Sequence, residues 1–381
     1  MINLLTIIGA RPQIIKAAAL SRAVQAHFAD KVCEKILHTG QHYDENMSAV
    51  FFEELGIPLP DYNLKVGSGA HGTQTAKMIE GVEKVLMAEK FDGLVVYGDT
   101  NSTLAGAIAA AKLHVPIFHI EAGLRSFNMD MPEEVNRIAC DQLSSILFAP
   151  TDVAMNNLEA EGFMRSQATF HNGKRREVCN SGDVMYDNSM HFAKVAAARS
   201  TLLADLHVEP NGFILSTIHR DSNTDNPTHL NAIFQALADI AQTKRQTVVL
   251  PLHPRTAKLI ETNLESPLLK QIRTSERIKI IPPVSFLDMI MLEKNANLVM
   301  TDSGGVQKEA FFFERPTIIL RTETEWTEIV KHNAGMLVGA DYTKIMEAYE
   351  QLSTRRVSFP NLFGDAQAAK HILNKILSFL A

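Results

Sequence analysis

Short, continuously apolar runs alternate with helix-patterned stretches along almost all 381 residues, and few folds satisfy that rhythm. Residues 4–8, 34–38, 94–97, 115–120 and 146–149 are such runs in the first half; 213–218, 247–252, 278–281, 298–301, 317–320 and 336–338 follow in the second. A strand covered on one face alternates apolar and polar residues, whereas one covered on both faces has no polar side to show. Helical stretches from Gln13, over 47–55, 102–113 and 152–161, and from Pro132 separate the early runs. The pattern predicts an α/β chain of two Rossmann-like, doubly wound domains, each long enough to bury its own core. It lapses into polar and basic residues between 162 and 178. The expected domains are therefore 1–172 and 173–365, with a last amphipathic helix over 366–381 packing back on the first. Ligands of such folds gather where loops leave the strand ends, here expected to face an interdomain cleft.

Composition excludes several classes. A net charge of −6 lacks the basic excess of a nucleic-acid surface. No apolar run approaches the ~20 residues of a membrane span. The apolar N-terminus has no basic flank and runs straight into Gly9-Ala-Arg11, as a buried first strand does and a signal peptide does not. Cys33, Cys140 and Cys179 form no CxxC pair, so a reduced, cytoplasmic protein is expected. The histidines, His114, His119 and His219 among them, form no HExxH set, so no metal is expected.

The stretch from Leu298 to Glu314 carries the clearest chemistry. An apolar strand ends in Asp302 and Ser303, Gly304 and Gly305 follow, and a helix begins. Ser303 can cap that helix, the glycines let an anion approach the backbone, and Glu309 lies one turn further on. Taken alone, an ordinary well-capped turn reads the same way. Other post-strand loops supply Arg11 and Lys16, Asp99, Glu121 and Arg125, then Glu133, Glu134 and Arg137 after Pro132, and, in the second half, His219, Arg220 and Arg321. Each has an ordinary reading: Asp99 as a helix cap, Glu133 and Glu134 as first-turn acids, Arg125 and Arg137 as surface charges, His219 as a core histidine. Glu121 ends an apolar strand without an obvious capping duty. Acids and cations at one end of two sheets suit a charged nucleotide ligand and acid–base chemistry. Gly67-Ser-Gly-Ala-His-Gly72 matches GxGxxG but follows a poor buried strand, so it reads as a Gly loop, not a dinucleotide site.

Gly9-Ala-Arg-Pro-Gln-Ile-Ile-Lys16, His38-Thr-Gly-Gln-His42, Val96-Tyr-Gly-Asp-Thr-Asn-Ser-Thr103, His119-Ile-Glu-Ala-Gly-Leu-Arg-Ser126, Met131-Pro-Glu-Glu-Val-Asn-Arg137 and Thr301-Asp-Ser-Gly-Gly-Val-Gln-Lys-Glu309 together resemble the non-hydrolysing UDP-N-acetylglucosamine 2-epimerases. The resemblance implies a glycosyltransferase-B type fold, a homodimer, a UDP-amino sugar as substrate and no cofactor. It implies inversion of C2 by elimination of UDP to a glycal and re-addition to the other face. Asp99, Glu121 and Glu133 match the family's essential acids, with the one that takes the C2 proton unassigned. His219 matches an essential histidine; Arg11, Lys16, Arg137 and Arg321 match its cationic neighbours. Ser303, Gly304 and Gly305 match the phosphate turn, Glu309 the ribose contact and Gln74 a sugar-side position.

Two departures matter. Asp44, Thr73 and Ser222 stand where many relatives hold a second, activating UDP-N-acetylglucosamine, which predicts absent or altered activation. Gln13, Phe127-Asn-Met-Asp130, Gln307-Lys-Glu-Ala-Phe-Phe-Phe313 and Glu323-Thr-Glu-Trp326 look most like the branch acting on UDP-2,3-diacetamido-2,3-dideoxyglucuronic acid in O-antigen synthesis. A uronate needs an extra cation, for which Arg125 and Lys65 are candidates unless both are merely surface residues. Competing functions are a hydrolysing epimerase, an NAD-dependent enzyme resting on the Gly67 loop, and a non-catalytic UDP-sugar binder.

Overall fold

The computed structural model describes residues 1–40, 52, 56–165, 169, 170 and 173–381. The expected helix over 47–55, apart from Phe52, and the motif residues Gln41, His42 and Asp44 lie outside them, as does part of the polar stretch after 162. The chain divides into two compact units, Met1–Asn188 with Asn361–Ala381, and Ser189–Pro360.

The first unit carries a seven-stranded parallel sheet. Its strands are β1 (Ile2–Ile8), β2 (Val32–His38), β3 (Tyr62–Asn63), β4 (Gly93–Tyr97), β5 (Ile117–Ile120), β6 (Ile146–Ala149) and β7 (Glu177–Asn180). Their order is β3-β2-β1-β4-β5-β6-β7, so the winding reverses between β1 and β4. Register brings Tyr97 opposite Ile120, which places Gly98 and Glu121 at a common edge. The Ala-rich helix Asn101–Lys112 lies close on this sheet; a Cβ on Gly106 would stand 3.1 Å from Cγ1 of Ile7. Leu5, Ile7, Leu94, Val96 and Ile117 fill the core beneath it.

The second unit repeats the plan with six parallel strands: β8 (Phe213–Thr217), β9 (Thr247–Pro251), β10 (Ile278–Ile281), β11 (Leu298–Thr301), β12 (Thr317–Ile319) and β13 (Gly335–Leu337), ordered β10-β9-β8-β11-β12-β13. Ile214, Val248, Leu298 and Met300 pack on one face, and Phe213, Leu215, Val249 and Val299 on the other. That two-sided burial is why the runs are uninterrupted.

Three features depart from the sequence reading. The sheet continues past residue 172, because β7 pairs with β6 (Ile146↔Glu177), and the compact unit extends to Asn188. The Gly67 loop follows the two-residue edge strand β3 and leads directly into the helix His71–Ala88, which the apolar runs did not announce. Arg125 is buried instead of lying on the surface: its side chain is 1% exposed and is held by Asp141 and Glu161. It is committed to that pairing and is a poor candidate for a uronate contact. At the other end of the chain, the helix Ala368–Leu380 is anchored within the first unit by amides of Ala368 and Ala369 donating to Asp187 at 3.0 and 2.9 Å. No helix among the described residues is long and apolar enough to cross a membrane.

Candidate active site

The candidate residues fall into two clusters, each at a point where the strand order of its own sheet reverses. In the first unit, the turns after β1, β4 and β5 converge. Gln13 locks the first two together: its Nε2 donates to Tyr97 O at 3.0 Å and Thr103 Oγ1 at 2.9 Å, and its Oε1 accepts from the Ala10 amide. Lys16, one turn into the helix Arg11–Ala23, forms an ion pair with Glu121. Glu121 is buried and holds φ at 71°, a left-handed conformation that a residue with a side chain adopts at a cost. Gly98 accommodates the pair: its φ is 61°, and a Cβ there would sit 3.1 Å from Glu121 Oε2 and 3.2 Å from Lys16 Nζ.

Asp99 does not cap the following helix, since Thr100 does so by accepting from the Thr103 amide. Its carboxylate instead pairs with Arg137, whose other guanidinium arm holds Glu134. Glu134 also accepts from the amides of Ser126 and Phe127, and although burial opposes it, those bonds and Arg137 keep its carboxyl below the ordinary range. Glu133, its neighbour on the same first turn, is exposed. Asn136 ties the group together, donating to Asp99 O at 2.9 Å and Asn101 Oδ1 at 3.2 Å. Asn101 donates in turn to Gln74 Oε1 at 2.9 Å, and Gln74 to Gly67 O at 2.8 Å. Arg11 is exposed at the mouth of the first turn. Behind the cluster, fully buried His119 contacts Asp141 through Nδ1 at 2.7 Å and Gly98 O through Nε2 at 2.8 Å.

In the second unit, Ser303 caps the helix Gly304–Phe312, with its Oγ accepting from the Val306 amide. A Cβ on Gly305 would meet only Ser303 Oγ, at 3.9 Å, whereas one on Gly304 would stand 3.4 Å from Glu325 Oε2 and 3.7 Å from Arg321 Nη1. Glu309 lies on this helix, half-buried. Its charge, after burial itself, drives the carboxyl of fully buried Glu293 well above the ordinary range. His219 is half-exposed, and its Nδ1 lies 2.9 Å from Asp302. Asp302 is fully buried and also accepts from the amides of His219 and Arg220 and from Asn223. Burial would raise its carboxyl; His219 and these donors hold it below the ordinary range. Arg321 is gripped in bidentate fashion by Glu325, at 2.9 and 3.1 Å.

Lys16, Glu121, Asp99, Arg137, Gln74, His219 and Arg321 thus each have partners inside their own unit, whereas Arg11 and Glu133 lie exposed. Those missed by sequence reasoning are the holders: Asn101 and Asn136, and Asp302 and Glu325 in their pairing roles. Only the polar ends of the apolar strands gave any sign of them. Among the described residues, no group of His, Cys, Asp and Glu side chains could hold a metal ion.

The family model for UDP-N-acetylglucosamine 2-epimerase matches residues 25–377. A UDP-2,3-diacetamido-2,3-dideoxy-D-glucuronate 2-epimerase from Pseudomonas aeruginosa is 49% identical over 371 residues, 97% of this chain and 98% of that one. The solved UDP-GlcNAc 2-epimerase of Methanocaldococcus jannaschii, in complex with UDP-GlcNAc and UDP, superimposes with a TM-score of 0.81 at 40% identity, covering 99% of this chain and 100% of that one. A UGT transferase from Siraitia grosvenorii shares the fold alone, with a TM-score of 0.63 at 14% identity over 100% of both chains. Two Rossmann-like units of the glycosyltransferase-B type, the motifs at their strand ends and a match across nearly the full length meet in one assignment: the chain belongs to the UDP-N-acetylglucosamine 2-epimerase family and is an isomerase of UDP-sugars.

Proposed function

We propose that the protein inverts C2 of a UDP-2-acetamido sugar by eliminating and re-adding UDP, with Asp99, Glu121 and Glu133 acting on the sugar. The observation that carries this reading is the pair of cation-held acids, Asp99 and Glu121, at the ends of adjacent strands β4 and β5. A carboxylate takes the C2 proton, the C2–H electrons form a C1–C2 double bond, and the C1–O pair leaves with the UDP β-phosphate. Re-protonation on the opposite face and return of UDP to C1 complete the inversion. No carbon changes oxidation state overall, so the steps balance without a redox cofactor. The capped turn at Ser303, Gly304 and Gly305, with His219 and Arg321, suits the departing diphosphate, and Glu309 suits the ribose hydroxyls. Gln74 suits the sugar side, and Arg11, Lys16 and Arg137 are the cations that the family resemblance calls for. The protein acts in the cytoplasm as a homodimer.

The substrate we infer is UDP-2,3-diacetamido-2,3-dideoxyglucuronate, because the 49% identity to an epimerase of that sugar exceeds the 41% to the archaeal UDP-N-acetylglucosamine enzyme. Lys65, exposed on the loop after β3, is then the cation to test for its carboxylate. UDP-N-acetylglucosamine is the second reading, favoured by the committed pairing of Arg125. Both sugars are to be incubated with the enzyme in deuterated water and followed by NMR. The expected result is deuterium at C2 of an intact UDP-sugar, with the higher kcat/KM for the uronate. Free sugar as the main product overturns the non-hydrolytic reaction, and a higher kcat/KM for UDP-N-acetylglucosamine overturns the substrate.

A further inference from the structure

The turn proposed to hold the diphosphate contains two adjacent glycines, so Ser303, which caps the helix, is its one side chain able to fix its shape from within. Such a turn binds an anion well only if something else holds its amides in place, because ordering a loose Gly turn on binding costs conformational entropy. The strap from Arg321 to Trp326 does this. The indole Nε1 of Trp326 donates to the Gly304 carbonyl at 3.0 Å. Thr324 Oγ1 donates to Gln307 Oε1 at 2.7 Å and accepts from the Trp326 amide at 3.1 Å. The strap is thus hydrogen-bonded to both the start and the first full turn of the helix Gly304–Phe312.

Lys308 reinforces it. This ammonium is carried by a residue only 3% exposed and lies 4.2 Å from the centre of the Trp326 ring, a cation–π contact in a nearly water-free setting.

We propose that Trp326 and Lys308 clamp the Ser303–Gly304–Gly305 turn in its anion-receiving shape, making both positioning residues for the diphosphate. The inference rests on the reading that this turn takes the diphosphate. Trp326 is the single tryptophan of the chain, so its fluorescence reports on the clamp directly. UDP is to be titrated into the full-length protein by calorimetry and by tryptophan emission, alongside Trp326→Phe, Lys308→Met, Lys308→Arg and Ser303→Ala. Expected are a saturable emission change that tracks the calorimetric Kd, and about fivefold weaker UDP binding in Trp326→Phe, the scale of one lost hydrogen bond. Lys308→Met weakens binding similarly, and Lys308→Arg restores it. Unchanged emission at UDP saturation, or unchanged Kd in both Trp326→Phe and Lys308→Met while Ser303→Ala binds UDP less tightly, overturns the clamp. Unchanged Kd in Ser303→Ala identifies the diphosphate assignment itself as wrong. If Trp326→Phe fails to fold, the wild-type emission and the Lys308 variants still decide.

Discussion

The two clusters use the same device, an ion pair at a strand end, with the roles of its members exchanged. In the first unit a cation holds an acid: Lys16 holds Glu121, and Arg137 holds Asp99. In the second unit an acid holds a cationic or donor group: Asp302 holds His219, and Glu325 holds Arg321. The difference suits the roles proposed for the two clusters. Acid–base work at carbon needs carboxylates presented to the sugar, whereas a diphosphate needs donors presented to it. The second cluster also relies on backbone amides at a helix start, which the first does not.

The largest expected effect separates the two. Glu121→Gln and Asp99→Asn each lower kcat by roughly 10²-fold or more, the scale of a lost acid–base group, while the Kd for UDP changes little. Steady-state kinetics beside UDP calorimetry checks this. A loss of UDP affinity equal to the loss of turnover would erase the distinction between the clusters.

Much of this division was legible in the sequence. Uninterrupted apolar runs marked eleven strands because both faces of each sheet are covered, and Pro132 marked the start of its helix (Pro132–Leu143). The strands β3 and β7 stayed hidden: one is two residues long, and the other is a half-exposed edge strand of sequence EVCN. The candidate acids could be picked out because each ends a strand or opens a helix, but their partners could not. Lys16 and Glu121 lie 105 residues apart, Asp99 and Arg137 lie 38 apart, and Arg125 reaches Glu161 across 36. Those pairs are made by tertiary folding, so local pattern left Arg125 looking like a surface charge. Asp302 read as the polar end of a strand, whereas it is the buried acceptor on which His219, Arg220 and Asn223 converge.

The histidines extend the comparison to pH. His219 is half-exposed beside Asp302, whereas His38, at the end of β2, is fully buried, and its Nδ1 accepts from the Gly40 amide at 2.9 Å. Burial lowers the His38 pKa from 6.5 to about 4. With the folded value depressed, the unfolded chain binds the proton more readily, so this stability is present above pH 6.5 and is lost as pH falls towards 4. The loss amounts to about 3 kcal/mol. Asp187, raised by burial to about 6, acts in the opposite direction as pH falls through that value. Denaturant unfolding of wild type and His38→Gln at neutral and acid pH isolates the histidine, and the variant is expected to lose less stability on acidification. Equal losses would remove burial of His38 from the account.

The smallest expected effect tests whether Glu325 is a holder at all. Its carboxylate grips both arms of Arg321 and lies beside the turn, with Oε2 3.4 Å from where a Gly304 Cβ would stand. Burial opposes its ionisation, but Arg321 holds its carboxyl below the ordinary range. A carboxylate so placed also repels an incoming diphosphate, so holding and repulsion act in opposite directions on UDP affinity. Glu325→Gln keeps one oxygen as an acceptor for Arg321 while removing the charge and the second grip. If positioning of Arg321 dominates, as Lys16 and Arg137 suggest by analogy, UDP binds about threefold more weakly, the modest scale of a partly exposed ion pair. If repulsion dominates, UDP binds more tightly in the variant, and the symmetry between the two clusters fails at this pair. Calorimetric titration of UDP at two ionic strengths separates the two, because the repulsive contribution shrinks with added salt and loss of the geometric grip does not.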